Sequence, residues 1–529
     1  MKNNTTFYNF NRNIHSLQLS MSFDVDTVIP EGGKVQLACN IVERMNLSSV
    51  LSTCSRRGRK PVVDPITFLK IMLFCYSEGI FHSRKIEDFC RYDLRGRYIL
   101  GGNKAPDHST ICRFGNMLKK HTSTLLSEFV MMMVNEGHID LKTLYIDGTK
   151  IESAANRYTF VWRKTVEKNW KKLNDKLIQM FELPEGSTCE EVERCAETRF
   201  NQVRNFCRQR RIEFVYGTGR RKTPEQREYE HLKEALERIE TYRKHLAVLG
   251  DRNSYSKTDH DATFMRMKDD HMLNGQLKPA YNIQLASSGA FIVGVMGSRK
   301  ANDLHTLKPF LDQMLPVYGK SIVNIVADAG YESAENYEYL NQRNLVSYIK
   351  PSNYEVKKTR KSREDIGRRE NMLYMEERDV YICKAGKELV RGRDRKKRTA
   401  SGFEDSLKVY RCYECSDCTF SGECIKSRKN VNPTHKSITF SPAFEEYRKQ
   451  SEHNIMTDTG INFRINRSIQ AEGAFAKMKD GLRYTRFRHR SMSKVVSDLT
   501  LVALGLNLNK LYSKMLNNQT GVIEYKKTA

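Results

Sequence analysis

The chain has 529 residues, too many for one compact core, and at roughly 100 to 200 residues per domain it is expected to hold three or four units. Lysine and arginine number 89 against 63 acidic residues, a net charge of +26 that attracts polyanions and makes nucleic acid the natural partner, with a plain solubility device or a membrane-surface footprint as the rival readings. No run reaches the ~20 apolar residues of a membrane span, the polar, Asn-rich start lacks a secretion signal, and the odd set of thirteen cysteines fits reduced thiols, so a soluble cytoplasmic protein is expected.

In chain order, residues 1–20 read as a flexible tail and 21–138 as an all-helical domain. Asp64 and Pro65 open a helix with Leu69, Met72 and Cys75 on its apolar face. Asp107 opens another, carrying His108, Arg113 and Lys119, after a short helix and the glycines Gly96, Gly101 and Gly102. This arrangement suits a helix-turn-helix-like DNA reader, with Arg113 as a contact, and equally an ordinary bundle with charged outer faces.

The period then turns strand-like at 143–149, 280–286, 291–296, 321–327 and 346–350. One amphipathic helix, marked by Leu304, Leu307, Phe310, Leu311 and Met314, fits before the fourth strand, and a second fits 333–344 before the fifth. Three strands, a helix, a strand, a helix and a strand is the order of an RNase H-like mixed α/β core, here assembled from 139–158, 258–351 and 464–513.

Two stretches interrupt that core. Residues 159–257 are charged and helical, with apolar stripes at Val166, Trp170, Leu173, Leu177 and Met180 and again from Leu232 to Leu249, as in a helical hairpin. Between the stripes lies a basic cluster, Arg204, Arg208, Arg210, Arg211, Arg220, Arg221 and Lys222, that suits phosphate contact. Residues 352–463 are polar and basic, including a run from Arg391 to Arg398, and carry a cysteine cluster. Residues 495–511 form a last apolar helix expected to pack on the sheet, and 514–529 a tail.

Three acids stand out in these basic surroundings. Asp147 and Asp328 each read as the end of a strand, followed by the small residues Gly148 and Ala329–Gly330. Glu472 lies on a helix expected over 468–480, whose buried stripe is Ala471, Phe475, Met478 and Leu482, with Lys479 seven residues on beside it. Strand-end carboxylates on a stiff support suit Mg²⁺, or Mn²⁺, and a pair of such ions suits phosphodiester cleavage. The rival reading is two turn-capping aspartates and an exposed surface glutamate.

Cys412, Cys415, Cys418 and Cys424, spaced C-x2-C-x2-C-x5-C, suit one structural Zn²⁺ that would fold a module poor in core residues, with an iron–sulfur cluster or free thiols as the rivals. Cys383 precedes them.

The order of Asp147, Asp328, Glu472 and Lys479, with CYSEGI (75–80), PDHSTICRF (106–114), the segment 265–284 and ADAGYES (327–333), resembles bacterial insertion-sequence transposases of the DDE class over nearly the whole chain. That resemblance implies Asp147, Asp328 and Glu472 as catalytic metal ligands. It also implies terminal inverted repeats and target duplex DNA as substrates, joined by 3′-OH strand transfer, and a homodimer on DNA. The family's Tyr-x2-Arg-x3-Glu-x6-Lys signature is matched in Glu472 and Lys479. Ile465 and Ser468 take the Tyr and Arg places, and Arg464 and Arg467 stand one residue earlier. Lys479, Arg464 and Arg467 are the expected phosphate contacts, with Arg113, Arg210 and Arg211 elsewhere. A nuclease without strand transfer, and a DNA-binding protein without catalysis, are the alternatives.

Overall fold

The computed structural model describes residues 29–52, 62–217, 221–267, 275–319, 321–426 and 434–525. The expected 1–20 tail, Arg220, the middle of the 265–284 segment and residues 526–529 lie outside them. The chain divides into two compact units, one of 1–138 with 500–521, the other of 139–499 with 522–529.

The first unit is helical among its described residues. Asp64 accepts hydrogen bonds from the amides of Ile66 and Thr67, and Pro65 sits at the first helical position, so Pro65–Ser77 starts where the cap dictates. Asp107 caps His108–Leu118 through the Thr110 amide at 2.7 Å. Ser83–Tyr92 and Leu94–Leu100 abut so closely that a Cβ on Gly96 would lie 2.4 Å from the Phe89 carbonyl oxygen. The C-terminal helix Met492–Leu516 meets its expectation only in part: Met492 and Val496 lie against Gly297 of the sheet, whereas from Thr500 onward the helix belongs to this unit. Gly505 is the reason, since it lets the helix approach the backbone of Tyr76 and Ser77, where a Cβ would come within 2.7 Å.

Lys514 on the same helix is 1% exposed, and burial followed by the neighbouring charge of Lys510 pushes its ammonium down to about 8. The folded state therefore holds a proton less tightly than the unfolded chain, and the resulting destabilisation is complete below pH 8 and relieved as pH rises toward 10.5. We expect Lys514→Met to raise the thermal midpoint at pH 7, by about 2–4 °C per kcal/mol recovered, with the gain shrinking between pH 8 and 10.5. A pH-independent gain in calorimetry would refute the electrostatic cause.

The second unit is built on a sheet ordered β6-β5-β1-β7-β8: β1 (Thr143–Glu152), β5 (Leu277–Ser288), β6 (Phe291–Ser298), β7 (Asn324–Ala327) and β8 (Val346–Ile349). β4 (Thr263–Arg266) shares the outer edge of β5 with β6. β1, β5 and β6 are antiparallel, whereas β7 and β8 run parallel to β1. This is the RNase H-like arrangement expected from the element order. Helix Leu307–Tyr318 covers one face, close enough that a Cβ on Gly294 would meet the Met314 sulfur at 2.7 Å. The helical run 458–481 covers the other, through Phe463 and Ala471 packed on Tyr145 and Val326.

Among its described residues the 159–257 segment holds three helices, Arg163–Met180, Cys189–Gln209 and Pro224–Leu249, where a helical hairpin was expected. The middle one was missed because it buries only small or short apolar groups, Val192, Ala196, Val203 and Cys207, amid dense charge. Two short strands, β2 (Phe160–Trp162) and β3 (Ser254–Ser256), pair at its base.

The cysteine-bearing stretch forms a second sheet: β9 (Leu373–Met375), β10 (Val380–Ile382), β11 (Glu388–Arg391), β12 (Arg395–Arg398), β13 (Glu404–Cys412) and β14 (Lys436–Phe440). Its small core gathers Tyr381, Leu389, Tyr410, Cys412, Cys415 and Ile438.

Candidate active site and cysteine cluster

Pairing between β1 and β7 runs from Thr143↔Asn324 to Tyr145↔Val326. Extended two residues beyond that pairing, the register would set Asp147 opposite Asp328, which itself follows the end of β7 at Ala327 and caps the next 3₁₀ turn. The 181 residues between the two aspartates are thus spanned by the topology. Asp147 does not end its own strand, as its sequence context suggested, because β5 accompanies β1 from Tyr145 to Glu152. It stands instead just past the point where β7 stops pairing.

Each aspartate also accepts from a nearby amide, but only Asp328 caps a turn. The amide of Gly148 donates to Asp147 Oδ1 and that of Gly330 to Asp328 Oδ1, both at 2.9 Å. Turn capping and ligation are therefore compatible here, since each bond engages one carboxylate oxygen. The loop after Asp328 is pinned by Glu332, which accepts from Arg448 at 2.7 Å and from the Ser352 amide at 2.8 Å. Burial alone would raise the Glu332 carboxyl, but Arg448 and Ser352 outweigh it and hold it below its ordinary value.

Glu472 lies on one helical run that begins at Asp458, earlier than the expected 468, and ends at Gly481. Within it, Ser468–Glu472 and Lys477–Gly481 are π-helical turns flanking the α-turn Gly473–Ala476. Such turns bond i→i+5 and are frequent at functional sites. The first is fixed by buried amides: Gln470 accepts from the Ala290 amide at 2.7 Å and donates to Asn466 Oδ1 at 3.0 Å. Its wider pitch brings residue 467 over residue 472, and Arg467 Nη2 donates to Glu472 Oε1 at 2.6 Å. Ser468, at the place of the signature arginine, donates to Glu472 Oε2 at 3.1 Å. The one-residue displacement of the arginine from the family pattern is thus matched by a one-residue widening of the helix. Ala471, Phe475 and Met478 are buried as expected and Leu482 is half-buried. The second π-turn means that α-helical phase no longer places Lys479 relative to Glu472.

Arg467 also reaches Asp147 Oδ1 at 3.8 Å. Its guanidinium joins the first and third acids, a different setting from the exposed phosphate contact expected of it. Arg464 is half-buried, while Arg113, Arg210 and Arg211 are exposed, Arg210 lying 4.7 Å over the Phe206 ring.

A fourth carboxylate, which the sequence reading passed over, lies in the same neighbourhood. Asp303 Oδ1 accepts from Asn282 Nδ2 at 2.7 Å and from Gln284 Nε2 at 2.9 Å, and Gln284 in turn accepts from the buried Tyr331 hydroxyl. A Cβ on Gly148 would lie 2.7 Å from Asp303 Oδ1, and one on Gly330 would lie 3.6 Å from Oδ2. Both glycines that follow the aspartates therefore make room for it. Burial, then the charges of Asp303, Asp147 and Asp328, hold the Tyr331 hydroxyl protonated well above its ordinary range. The Asn302–Asp303 pair, with Asn302 capping the short 3₁₀ turn Asp303–His305, was the available signal.

In the second sheet, Cys412, Cys415, Cys418 and Cys424 line one small cavity, joined by Cys383 from the end of β10. Burial pushes the Cys412 and Cys424 thiols up, and neighbouring thiols, Cys383 among them, add to it. The Cys415 thiol donates to the Cys412 carbonyl at 3.5 Å.

Among the described residues, no three His, Cys, Asp or Glu side chains stand in positions that would hold a metal ion at either place. The donor chemistry at each is nonetheless uniform, oxygen at the first and sulfur at the second, matching the preferences of Mg²⁺ and Zn²⁺.

The sheet is RNase H-like, with Asp147 on β1, Asp328 directly after β7 and Glu472 on a helix tied to Asp147 through Arg467. Residues 382–512 match the family model described as Transposase DDE domain, and residues 23–116 match that described as Transposase domain (DUF772). The two matches support an insertion-sequence DDE transposase. The first spans Glu472 and the four clustered cysteines, while Asp147 and Asp328 precede it. No curated protein and no solved structure matches the chain. No described helix is long and apolar enough to cross a membrane.

Proposed function

We propose that the chain binds the terminal inverted repeats of an insertion sequence, cleaves the DNA ends and transfers the 3′-OH strands to target duplex DNA, with Asp147, Asp328 and Glu472 as the catalytic carboxylates. What supports this reading is that Asp147 and Asp328 each lie just beyond the paired stretch of the adjacent strands β1 and β7, with Glu472 tied to Asp147 through Arg467. Two Mg²⁺ or Mn²⁺ ions, when bound, would supply an activated water and relieve the charge on the reacting phosphate.

The chain's own residues do the rest. The stiff β1 and β7 hold Asp147 and Asp328 at fixed height, and the Gly148 and Gly330 amides orient their carboxylates. Arg467 neutralises Asp147 and Glu472 before cations and phosphate arrive, and its release would give the scissile phosphate a cationic neighbour. Lys479, Arg464, Arg113, Arg210 and Arg211 would contact the DNA backbone, and the helices that include His108–Leu118 would read the repeats. Because two ends must be joined, the working species is a homodimer on DNA in the cytoplasm.

The test is incubation of the full chain with labelled duplexes carrying the element's ends, with and without Mg²⁺, plus a target duplex. Nicked and joined products are expected. Cut product without joined strands would favour a plain nuclease, and binding without either product a non-catalytic DNA-binding protein.

A further inference from the structure

We propose that β12, Arg395–Arg398, is a phosphate-binding β-ribbon that holds duplex DNA beside the catalytic sheet, an assignment that rests on the DNA-directed reading above. The four residues Arg395, Lys396, Lys397 and Arg398 are all exposed, and they form an edge strand of the second sheet. Alternation along a strand sends successive side chains to opposite faces, so the ribbon is cationic on both.

The surrounding cations behave differently. Arg391 is engaged by Asp379 at 2.8 Å and Asp394 at 3.0 Å, a structural pairing that closes the sheet beneath. Arg398 has Glu404 across the ribbon at 3.8 Å. Arg395, Lys396 and Lys397 have no carboxylate partner among the described residues, and opposite them β13 places Leu407, Ser406 and Asp405, the last accepting a hydrogen bond from Ser441. Three neighbouring charges are left for an external anion. A lysine on an edge strand also blocks unwanted strand pairing, but one suffices for that, and four in succession exceed the need.

Position strengthens the assignment. The ribbon's turn is held by the Thr399 amide on the Phe403 carbonyl and the Gly402 amide on the Thr399 carbonyl, at 2.8 and 3.0 Å. Its tip docks on the catalytic unit, with Ser401 Oγ donating to Glu335 Oε2 at 2.6 Å. Glu335 opens the helix Ala334–Gln342 that follows directly on the Asp328 loop. The hairpin is thereby linked, through Glu335, to the helix that follows the proposed catalytic Asp328. Its four residues span about 10 Å, a length over which duplex DNA presents roughly six charges. Two-stranded ribbons are an established means of engaging a DNA groove.

The test measures binding of the full-length protein to a random-sequence 30-base-pair duplex across a salt series. Each phosphate contact contributes about 0.9 to the slope of log K against log salt, so Arg395→Ala/Lys396→Ala/Lys397→Ala should flatten it by about 2.7. A control of equal charge loss, Lys168→Ala/Lys171→Ala/Lys172→Ala on the exposed face of Arg163–Met180, should leave it nearly unchanged. Should the triple variant misfold by circular dichroism, the milder Lys396→Gln/Lys397→Gln, expected to flatten the slope by about 1.8, decides the matter. A ribbon variant whose slope equals that of the control overturns the assignment while leaving the proposed function standing. A wild-type chain that fails to bind the duplex overturns both.

Discussion

Asp328→Asn is expected to lower Mg²⁺-dependent strand cleavage by on the order of 10²- to 10³-fold or more, with duplex affinity unchanged or tighter. The magnitude follows from what removing a single preorganised charge-stabilising group costs in other active sites. The substitution isolates charge from shape. Asparagine retains the oxygen that accepts from the Gly330 amide, so the turn after β7 keeps its cap, and the Glu332–Arg448 pair that pins the loop is untouched. What disappears is the negative charge a hard divalent cation requires. Thermal unfolding should accordingly be unaltered, and removing a negative charge facing DNA cannot weaken the complex electrostatically. Cleavage of an end-bearing duplex by the variant at the wild-type rate would show that the placement of the two aspartates is architectural only. The same assay on Asp147→Asn is less clean, because that change also leaves Arg467 with Glu472 alone.

The second large effect concerns the cysteine module. With a structural Zn²⁺ held by the clustered thiols, as proposed, Cys412→Ser/Cys415→Ser is expected to lose it and to open the second sheet to proteolysis within 373–440. The sheet's core is small, and Cys412 and Cys415 are two of its six buried members, packed with Tyr381, Leu389, Tyr410 and Ile438. So small a core supplies little stability unaided, whereas structural zinc in small domains contributes an apparent ~10–16 kcal/mol at neutral pH. Five thiols line the cavity but tetrahedral zinc takes four. Cys383→Ser should therefore retain the metal if the clustered four are the ligands, and lose it if Cys383 is one of them. Metal analysis of the purified chain after zinc loading decides: iron with visible absorption would replace zinc by a cluster, and no metal with an unchanged unfolding profile would leave free thiols.

Much of this protein is legible in its sequence. The strand positions of the catalytic sheet were readable because fully buried strands are continuous apolar runs with abrupt polar ends, and the caps at Asp64 and Asp107 because side-chain capping is a local event. The succession of strands and helices pointed to an RNase H-like core, and the matches to transposase families agree with the resemblance seen in short motifs. Less was legible where helices bury little. Cys189–Gln209 hides its few apolar groups among charges, and the destination of Met492–Leu516 depends on Gly505 fitting against Ser77, a contact more than 400 residues apart in sequence.

The candidate site divides in the same way. Sequence alone determined which acids were available, Asp147, Asp328 and Glu472, and which cysteines were close along the chain. Tertiary structure alone decided that β1 and β7 pair just ahead of the two aspartates, and that a π-turn carries Arg467 onto Glu472. It also brought Asp303 against two glycines and Cys383 to the other thiols. The physical reason is that capping, periodicity and composition are properties of a few consecutive residues, whereas strand register and helical pitch are settled by packing between segments that the chain itself keeps far apart.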